Sequence, residues 1–341
     1  MFKELLSEII AGRDLSGEQM AGLVGQILEG RATEAQIGAF MGALAAKGES
    51  FEELTGAARE MRRKAKRIQV SRPAVVDTCG TGGDGANTFN ISTTAAFVVA
   101  GCGIAVAKHG NRSVSSQCGS ADLLESLGVN LDVYPEIVEE AIHDIGIGFL
   151  FAPLYHKAMR FAAKARKEVG IRSIFNMLGP LTNPAAANCQ VLGVYAAELT
   201  EVFAQSLGSM GVKRAFVVHG HDGLDEISVC APTRVSELHD GQVKTYDILP
   251  DQFFGDVARP GEIRGGRPEE NALITRSILE KGAQGPRRNI VLINAGAAIV
   301  AAGKADSLKK GIERAETSID SGAAAEKLRQ LVLFTSQNSP T

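Results

Sequence analysis

VVDTCGTGGDGANTFNISTTAAFVVAG, residues 75–101, contains the change of pattern on which the fold turns. A short β-branched run, VVDTC, gives way to a glycine-rich loop, 80–90, and then to an apolar helix through STTAAFVVAG. GIAVAKHG, 103–110, reads as a second strand. Strand–loop–helix–strand is the unit of a parallel sheet. The loop packs Gly80, Gly82, Gly83 and Gly85 into six residues, and Thr88, Asn90, Ser92 and Thr93 follow as donors in the first turn of the helix. Glycines let backbone N–H groups converge on one anion, and a helix N-terminus adds partial positive charge. The bland alternative is a glycine-rich turn with ordinary helix capping.

Working outward, the alternation continues on the C-terminal side. Helices are expected over 121–128 and 135–144, with strands at 147–152, 190–195 and 214–219 and a helix over 198–210. VSELHDGQVKTYDI, 235–248, reads as a hairpin turning at Asp240-Gly241. RNIVLINAGAAIVAAG, 288–303, reads as another strand and helix, followed by two terminal helices with frayed last residues. On the N-terminal side the first 70 residues read as helices. Ser16 with Gln19, Thr33 with Gln36 and Ser50 with Glu53 each fit a capping box, and Gly30 and Gly48 sit where helices should stop. Residues 155–183 interrupt the α/β pattern with a basic helical stretch. The expected architecture is therefore α/β: a small N-terminal helical bundle domain plus a larger α/β domain with a central, mostly parallel sheet. The bundle covers 1–72, with 155–183 folding back onto it, and the α/β domain covers 73–154 and 184–341.

The bulk properties narrow the function. The 341 residues suffice for two domains, and 45% hydrophobic with 22% charged residues is ordinary for a globular protein. A net charge of −3 argues against a polyanion binder. The basic cluster Arg62, Arg63, Lys64, Lys66 and Arg67 lacks interleaved aromatics, so it reads as a solvated helix end rather than a nucleic-acid patch. Cys79, Cys102, Cys118, Cys189 and Cys230 lack the close spacing of a zinc site or a redox dithiol and read as reduced thiols of a cytoplasmic protein. The near-apolar run 95–107 is too short to span a bilayer, so no membrane role is expected.

In an open α/β sheet, ligands sit beyond the carboxyl ends of the strands. Three loops there carry chemistry. The first is 80–90. Its G-x-G-x-x-G match is weak, because the second strand ends in Lys108-His109 where a nicotinamide site needs an acid, and no Walker lysine follows the last glycine. Asp84 speaks against both readings: a carboxylate about 4 Å from a phosphate charge costs on the order of 4 kcal/mol at an effective dielectric near 20. A cation or a set of sugar hydroxyls is needed to explain it. The second loop, KHGNRSVSSQCGSAD, 108–122, offers Lys108 and Arg112 as cations, Ser113, Ser115, Ser116 and Ser120 as small donors, and Gly119-Ser120 as a second anion nest. Taken singly, Lys108 would be a snorkelling surface lysine, but its position beside the first loop favours phosphate contact; His109 could be a base or a ligand, and alone reads as structural. The third loop, HGHDGLDEIS, 219–228, clusters Asp222, Asp225 and Glu226, which suits Mg2+ better than a solvated turn when phosphate loops lie at neighbouring strand ends. A polyphosphate that arrives with magnesium, and a sugar for Asp84 to address, accounts for all three loops.

Together, DTCGTGGDGANTFNIST, KHGNRSVSSQCGSADLLESLG, RKEVGIRSIFNMLGPLTNPA and HGHDGLDEIS resemble the anthranilate phosphoribosyltransferase family of tryptophan biosynthesis, in order and over nearly the whole chain. The resemblance implies a homodimer formed through the helical domain, and phosphoribosyl pyrophosphate and anthranilate as small-molecule substrates. It implies that Gly80, Gly83, Asp84, Thr88, Asn90, Ile91, Ser92, Thr93, Lys108 and Ser120 hold the donor, with His109, Gly110, Asn111, Arg112, Ser113, Ser115 and Ser116 lining the same site. It implies Mg2+ on Ser92, Asp225 and Glu226, and anthranilate near Gly80, Asn111 and Arg166. A guanidinium at Arg166 suits a carboxylate substrate. One departure is Lys157 after His156, where the family pattern has proline. The implied reaction needs no strong base, because an arylamine is neutral at pH 7, and Lys108 enters as an electrostatic group. Two other readings remain at this stage: a pyrimidine nucleoside phosphorylase-like enzyme, and a non-catalytic nucleic-acid-binding relative on the same plan.

Overall fold

The computed structural model describes residues 1–113 and 116–338, so Val114, Ser115 and the last three residues, expected to fray, lie outside it. The chain divides into two compact units, one formed by Met1–Arg67 with Ala152–Ala186, the other by Ile68–Phe151 with Ala187–Thr341.

The first unit is helical. Helices Gly17–Leu28, Glu34–Lys47 and Phe51–Lys64 each start at the expected capping box, with side chain and backbone exchanged at both ends of the motif. Gly30 and Gly48 adopt φ of 71° and 88°, the left-handed turn that ends a helix. Glu53 is fully buried and accepts the N–H groups of Leu15 and Ser50 and the Lys47 ammonium, so its charge is compensated on every side. A Cβ on Gly56 would lie 2.2 Å from the Gly17 carbonyl oxygen, so two helices touch there backbone to backbone. Helix Phe2–Ile10 precedes these three, helix Arg160–Val169 and the short helix Ile174–Leu178 join them from the later stretch, and Phe175 meets Phe40 edge to face at 6.3 Å. The basic cluster is not simply solvated: Arg63 pairs with Glu60, Lys64 with Glu29, and Arg62 donates to the Leu181 carbonyl at 2.6 Å.

The second unit is built on one seven-stranded sheet: β1 Val75–Gly80, β2 Ala105–Gly110, β3 Ile147–Phe151, β4 Cys189–Gly193, β5 Arg214–Gly220, β6 Thr233–His239 and β7 Gln242–Ile248. Their order is β3-β2-β1-β4-β5-β6-β7. The first five are parallel and the last two antiparallel. The sheet is thus mostly parallel, and the expected α/β class holds. The hairpin turns at Asp240 (φ 47°) and Gly241 (φ 80°), as a two-residue primed turn requires. Helix Ile91–Gly101 is buried over most of its surface, which is why its sequence is apolar all round.

One expectation fails. Residues 288–303 do not begin with a strand; a single helix, Pro286–Ala301, runs through them. Every residue from Ile290 to Ala301 is buried, so the run has no polar face to reveal a 3.6-residue period. Pro286 at its first position and Gly285 at φ 74° mark the true start.

Candidate active site at the switch point of the sheet

Strand order reverses around β1, whose neighbours β2 and β4 lead to opposite edges. Strands β1, β2, β4 and β5 end at Gly80, Gly110, Gly193 and Gly220, so their loops can fold directly over the strand ends. Gly82, Gly83 and Gly85 have φ of 69°, 77° and 71°, and Asn87 has φ 52°. In such a succession of left-handed residues, which glycine adopts without strain, backbone N–H groups can converge on an anion. Asp84 caps its own turn by accepting the Ala86 N–H at 3.2 Å. Thr88 bridges Arg264, and Asn90 precedes the helix in which Ile91 and Thr93 are buried and Ser92 is half-buried.

The third loop grips the first. Asp225 accepts the Gly82 N–H at 2.7 Å, and Glu226 accepts the Ser92 N–H at 3.1 Å. Thr78 donates its hydroxyl to the Ser92 carbonyl at 2.9 Å. The fit leaves no room at the strand ends: a Cβ on Gly80 would lie 2.3 Å from Asp225 Oδ2. Burial pushes the Asp225 carboxyl well above the usual range, and the negative charges of Asp84 and Glu226 add to it. Burial pushes Glu226 up to about 8, against the opposing pull of Lys108 and of Ser92. Two carboxylates held in a desolvated position are what a divalent cation relieves, and Mg2+ takes such oxygens. Among the described residues no group of three or more His, Cys, Asp or Glu side chains could hold a metal by itself, so such an ion needs further oxygens from a ligand. Asp222 does not join the pair; it accepts the Ser228 hydroxyl at 2.7 Å and shapes the turn.

Lys108 is not a snorkelling surface lysine. It is 4% exposed, and its ammonium donates to the Thr78 carbonyl at 2.5 Å, beneath the first loop. Burial pushes its pKa down while Asp77 and Glu226 hold it up. His109 is buried, and its backbone N–H donates to Asp77 Oδ1 at 3.1 Å. Beyond Gly110, the Asn111 carbonyl accepts from the Ser120 hydroxyl and the Ala121 N–H, both at 3.2 Å. The expected second anion nest at Gly119-Ser120 is not open. Asp122 takes the Gly119 N–H at 2.8 Å and the Ser113 N–H at 2.9 Å, so a carboxylate of the chain fills it. Arg112 is likewise engaged: it pairs with Asp122 and Glu125 and lies 5.5 Å from the centroid of the Phe151 ring, and those acids hold its pKa above the ordinary range. The Ser113 and Ser116 hydroxyls are 2.8 Å apart. The structure therefore brings together Gly80, Gly83, Asp84, Ser92, Lys108, Asp225 and Glu226. It occupies Arg112, Ser113 and Ser116 with one another's loop, and Ser115 lies outside the described residues.

Arg166 belongs to the helical unit, in helix Arg160–Val169. Its guanidinium lies 5.6 Å from the centroid of the Phe175 ring, and burial pushes its pKa down. Lys157, at the departure from the family pattern, is exposed. Sequence reasoning missed Asp77, which is fully buried beside Lys108 and His109, and Gly193, against which the Asp225 backbone packs. An acid inside a β-branched strand was a signal for the first; nothing local marks the second.

The comparisons with known proteins agree with this geometry. A glycosyl transferase family helical bundle domain matches residues 3–65, and a glycosyl transferase family a/b domain matches residues 72–325. Anthranilate phosphoribosyltransferase of Desulfosudis oleivorans is 68% identical over 338 residues, covering 99% of this chain and 100% of that protein. The crystal structure of the Thermus thermophilus enzyme of that name superposes with a TM-score of 0.92 at 42% identity, over 97% of this chain and 99% of the other. The Saccharomyces cerevisiae enzyme in complex with PRPP and Mg superposes with a TM-score of 0.89 at 29% identity, over 98% of each chain. By these likenesses, over both units and nearly end to end, the chain belongs to the anthranilate phosphoribosyltransferase family.

Proposed function

We propose that this enzyme transfers the phosphoribosyl group of phosphoribosyl pyrophosphate to the amine of anthranilate, releasing pyrophosphate, as a step of tryptophan biosynthesis. The observation that carries the reading is the acidic pair, half-buried Asp225 and buried Glu226, fastened to the N–H groups of Gly82 in the glycine loop and of Ser92 in the helix after it. An acidic pair set against a glycine loop supports a site for a magnesium-bearing polyphosphate.

Gly80, Gly83, Asp84, Thr88, Asn90, Ile91, Ser92 and Thr93 hold the donor, with Lys108 beneath them as a buried positive charge. Ser92, Asp225 and Glu226 hold Mg2+, which when bound neutralises charge gathering on the leaving pyrophosphate. The 108–120 segment closes the site: His109, Gly110, Asn111, Arg112, Ser113, Ser115, Ser116 and Ser120 shape its wall. Because Asp122 and Glu125 neutralise Arg112, the positive potential on the donor comes from Lys108 and the loop N–H groups. The amine lone pair forms the new bond to ribose C1 as the C1–O bond to pyrophosphate breaks, and the amine proton leaves to solvent. Arg166 pairs with the anthranilate carboxylate. Catalysis is positioning plus electrostatic stabilisation. The enzyme works as a cytoplasmic homodimer associated through its helical domain. The relatives reported above do not favour a nucleoside phosphorylase-like activity or a nucleic-acid-binding role.

The test is to follow anthranilate fluorescence with purified protein, phosphoribosyl pyrophosphate and Mg2+, with and without EDTA. Signal loss that requires every component is the expected result. Signal loss unaffected by EDTA refutes the role of the acidic pair, and no loss at all refutes the transferase.

A further inference from the structure

RGGRPEENA, 264–272, enters none of the roles above, yet one of its side chains is fastened to the donor loop. Asn271 lies near the start of helix Pro268–Leu279 and is 1% exposed. Its Oδ1 accepts the Gly266 N–H at 2.8 Å, and its Nδ2 donates to Asn90 Oδ1 at 3.0 Å. Asn90 passes the connection on: its Nδ2 donates to the Cys118 carbonyl at 3.0 Å, and its Oδ1 also receives the Cys118 thiol at 3.2 Å. One turn beyond Asn271, the Thr275 hydroxyl meets that of Thr94 at 2.9 Å, and Thr94 in turn donates to the Asn90 carbonyl at 3.0 Å. The turn before the helix is equally tight. A Cβ on Gly265 would lie 2.5 Å from the Phe89 nitrogen and 2.6 Å from Asn271 Oδ1. An amide is the group that supplies a donor on one side and an acceptor on the other in one plane. Buried as it is, breaking either bond strands a polar atom away from water.

We propose that Asn271 is a positioning residue for the phosphoribosyl donor: by fixing the Asn90 amide it ties the glycine loop to the segment 118–120 across the mouth of the site. This rests on the donor reading given above. Asn271 touches no substrate; it acts through Asn90.

The discriminating variant is Asn271→Asp. A carboxylate keeps the acceptor for Gly266 and nearly the same shape, but it cannot donate to Asn90 Oδ1, so two acceptors face each other. The readouts are phosphoribosyl pyrophosphate affinity by titration calorimetry with Mg2+ and, separately, the KM for anthranilate. We expect donor affinity to fall about tenfold, the size of one buried hydrogen bond, with the anthranilate KM unchanged. In an Asn90→Ala background the same substitution should cost less than about twofold, because residues acting through one contact are not additive. An equal loss in both backgrounds, or a fall in melting temperature with donor affinity intact, overturns the proposal. Should Asn271→Asp fail to fold, Asn271→Ser, which is smaller and uncharged, is read through the same cycle. A wild-type protein that binds no donor defeats the donor reading and this inference together. Wild-type binding with additive substitutions defeats this inference alone.

Discussion

Gly193→Ala probes whether the sheet itself sets the position of the acidic loop. Gly193 closes β4 opposite Gly80 of β1 and Val218 of β5, and its carbonyl accepts the Thr81 N–H at 2.9 Å. A Cβ there would lie 1.5 Å from the Asp225 carbonyl oxygen, 2.3 Å from its carbon and 3.0 Å from its Cα. All three are backbone atoms, so no side-chain rotation relieves the clash. Ordinary contact begins near 3.4 Å, so the Asp225 backbone has to retreat by about 2 Å. The Asp225 carboxylate, which now accepts the Gly82 N–H at 2.7 Å, moves with it. Overpacking of this kind costs roughly 1–3 kcal/mol of stability. The effect on rate is larger, since a misplacement of about 1 Å at a reacting centre costs on the order of 100-fold. The assay is the initial rate as a function of Mg2+ and phosphoribosyl pyrophosphate, with thermal melting to confirm folding. Gly261→Ala is the control, because its added Cβ meets nothing within 4 Å and its backbone is not left-handed. A Gly193→Ala protein whose rate and Mg2+ requirement stay within about twofold of wild type refutes the reasoning.

Arg166→Ala should lower kcat/KM for anthranilate about 10- to 100-fold, the range of one charge-assisted hydrogen bond, while leaving donor affinity alone. An unchanged anthranilate KM removes Arg166 from its role. Acid stability should report on His156, which is 5% exposed and whose pKa burial pushes from 6.5 down to about 4, with the Thr182 backbone opposing. The folded state keeps it neutral, whereas the unfolded chain takes up a proton below 6.5. The stability it contributes is therefore complete above pH 6.5 and drains away as pH falls towards 4, by roughly 3 kcal/mol in all. Urea unfolding of wild type and His156→Gln at pH 7 and 4.5 tests this, and the same acid sensitivity in both rules it out.

Features carried by local chemistry were legible in the amino-acid sequence. The three capping boxes, the Asp240-Gly241 turn and the glycine loop each state their conformation within a few residues. The acidic pair Asp225-Glu226 was legible as a cluster, but Asp222 was not separable from it, because only the Ser228 hydroxyl decides its fate. Lys108 and Arg112 were both legible as cations at a strand end, but their different fates were not, for a similar reason. Strand pairing buries the first, while two acids on the next helix neutralise the second. The 288–303 run was misread because full burial erases helical periodicity. Gly193 and Asn271 owe their importance to partners 32 and 181 positions away in the chain, a distance over which no spacing rule operates.

The helical unit is made from two stretches with 84 residues of the other unit between them. A nascent chain therefore releases its first four helices well before their last partners exist. Phe40 waits for Phe175, and Arg62 waits for the Leu181 carbonyl. On the ribosome, the bundle can close only after the first three strands of the sheet have already emerged.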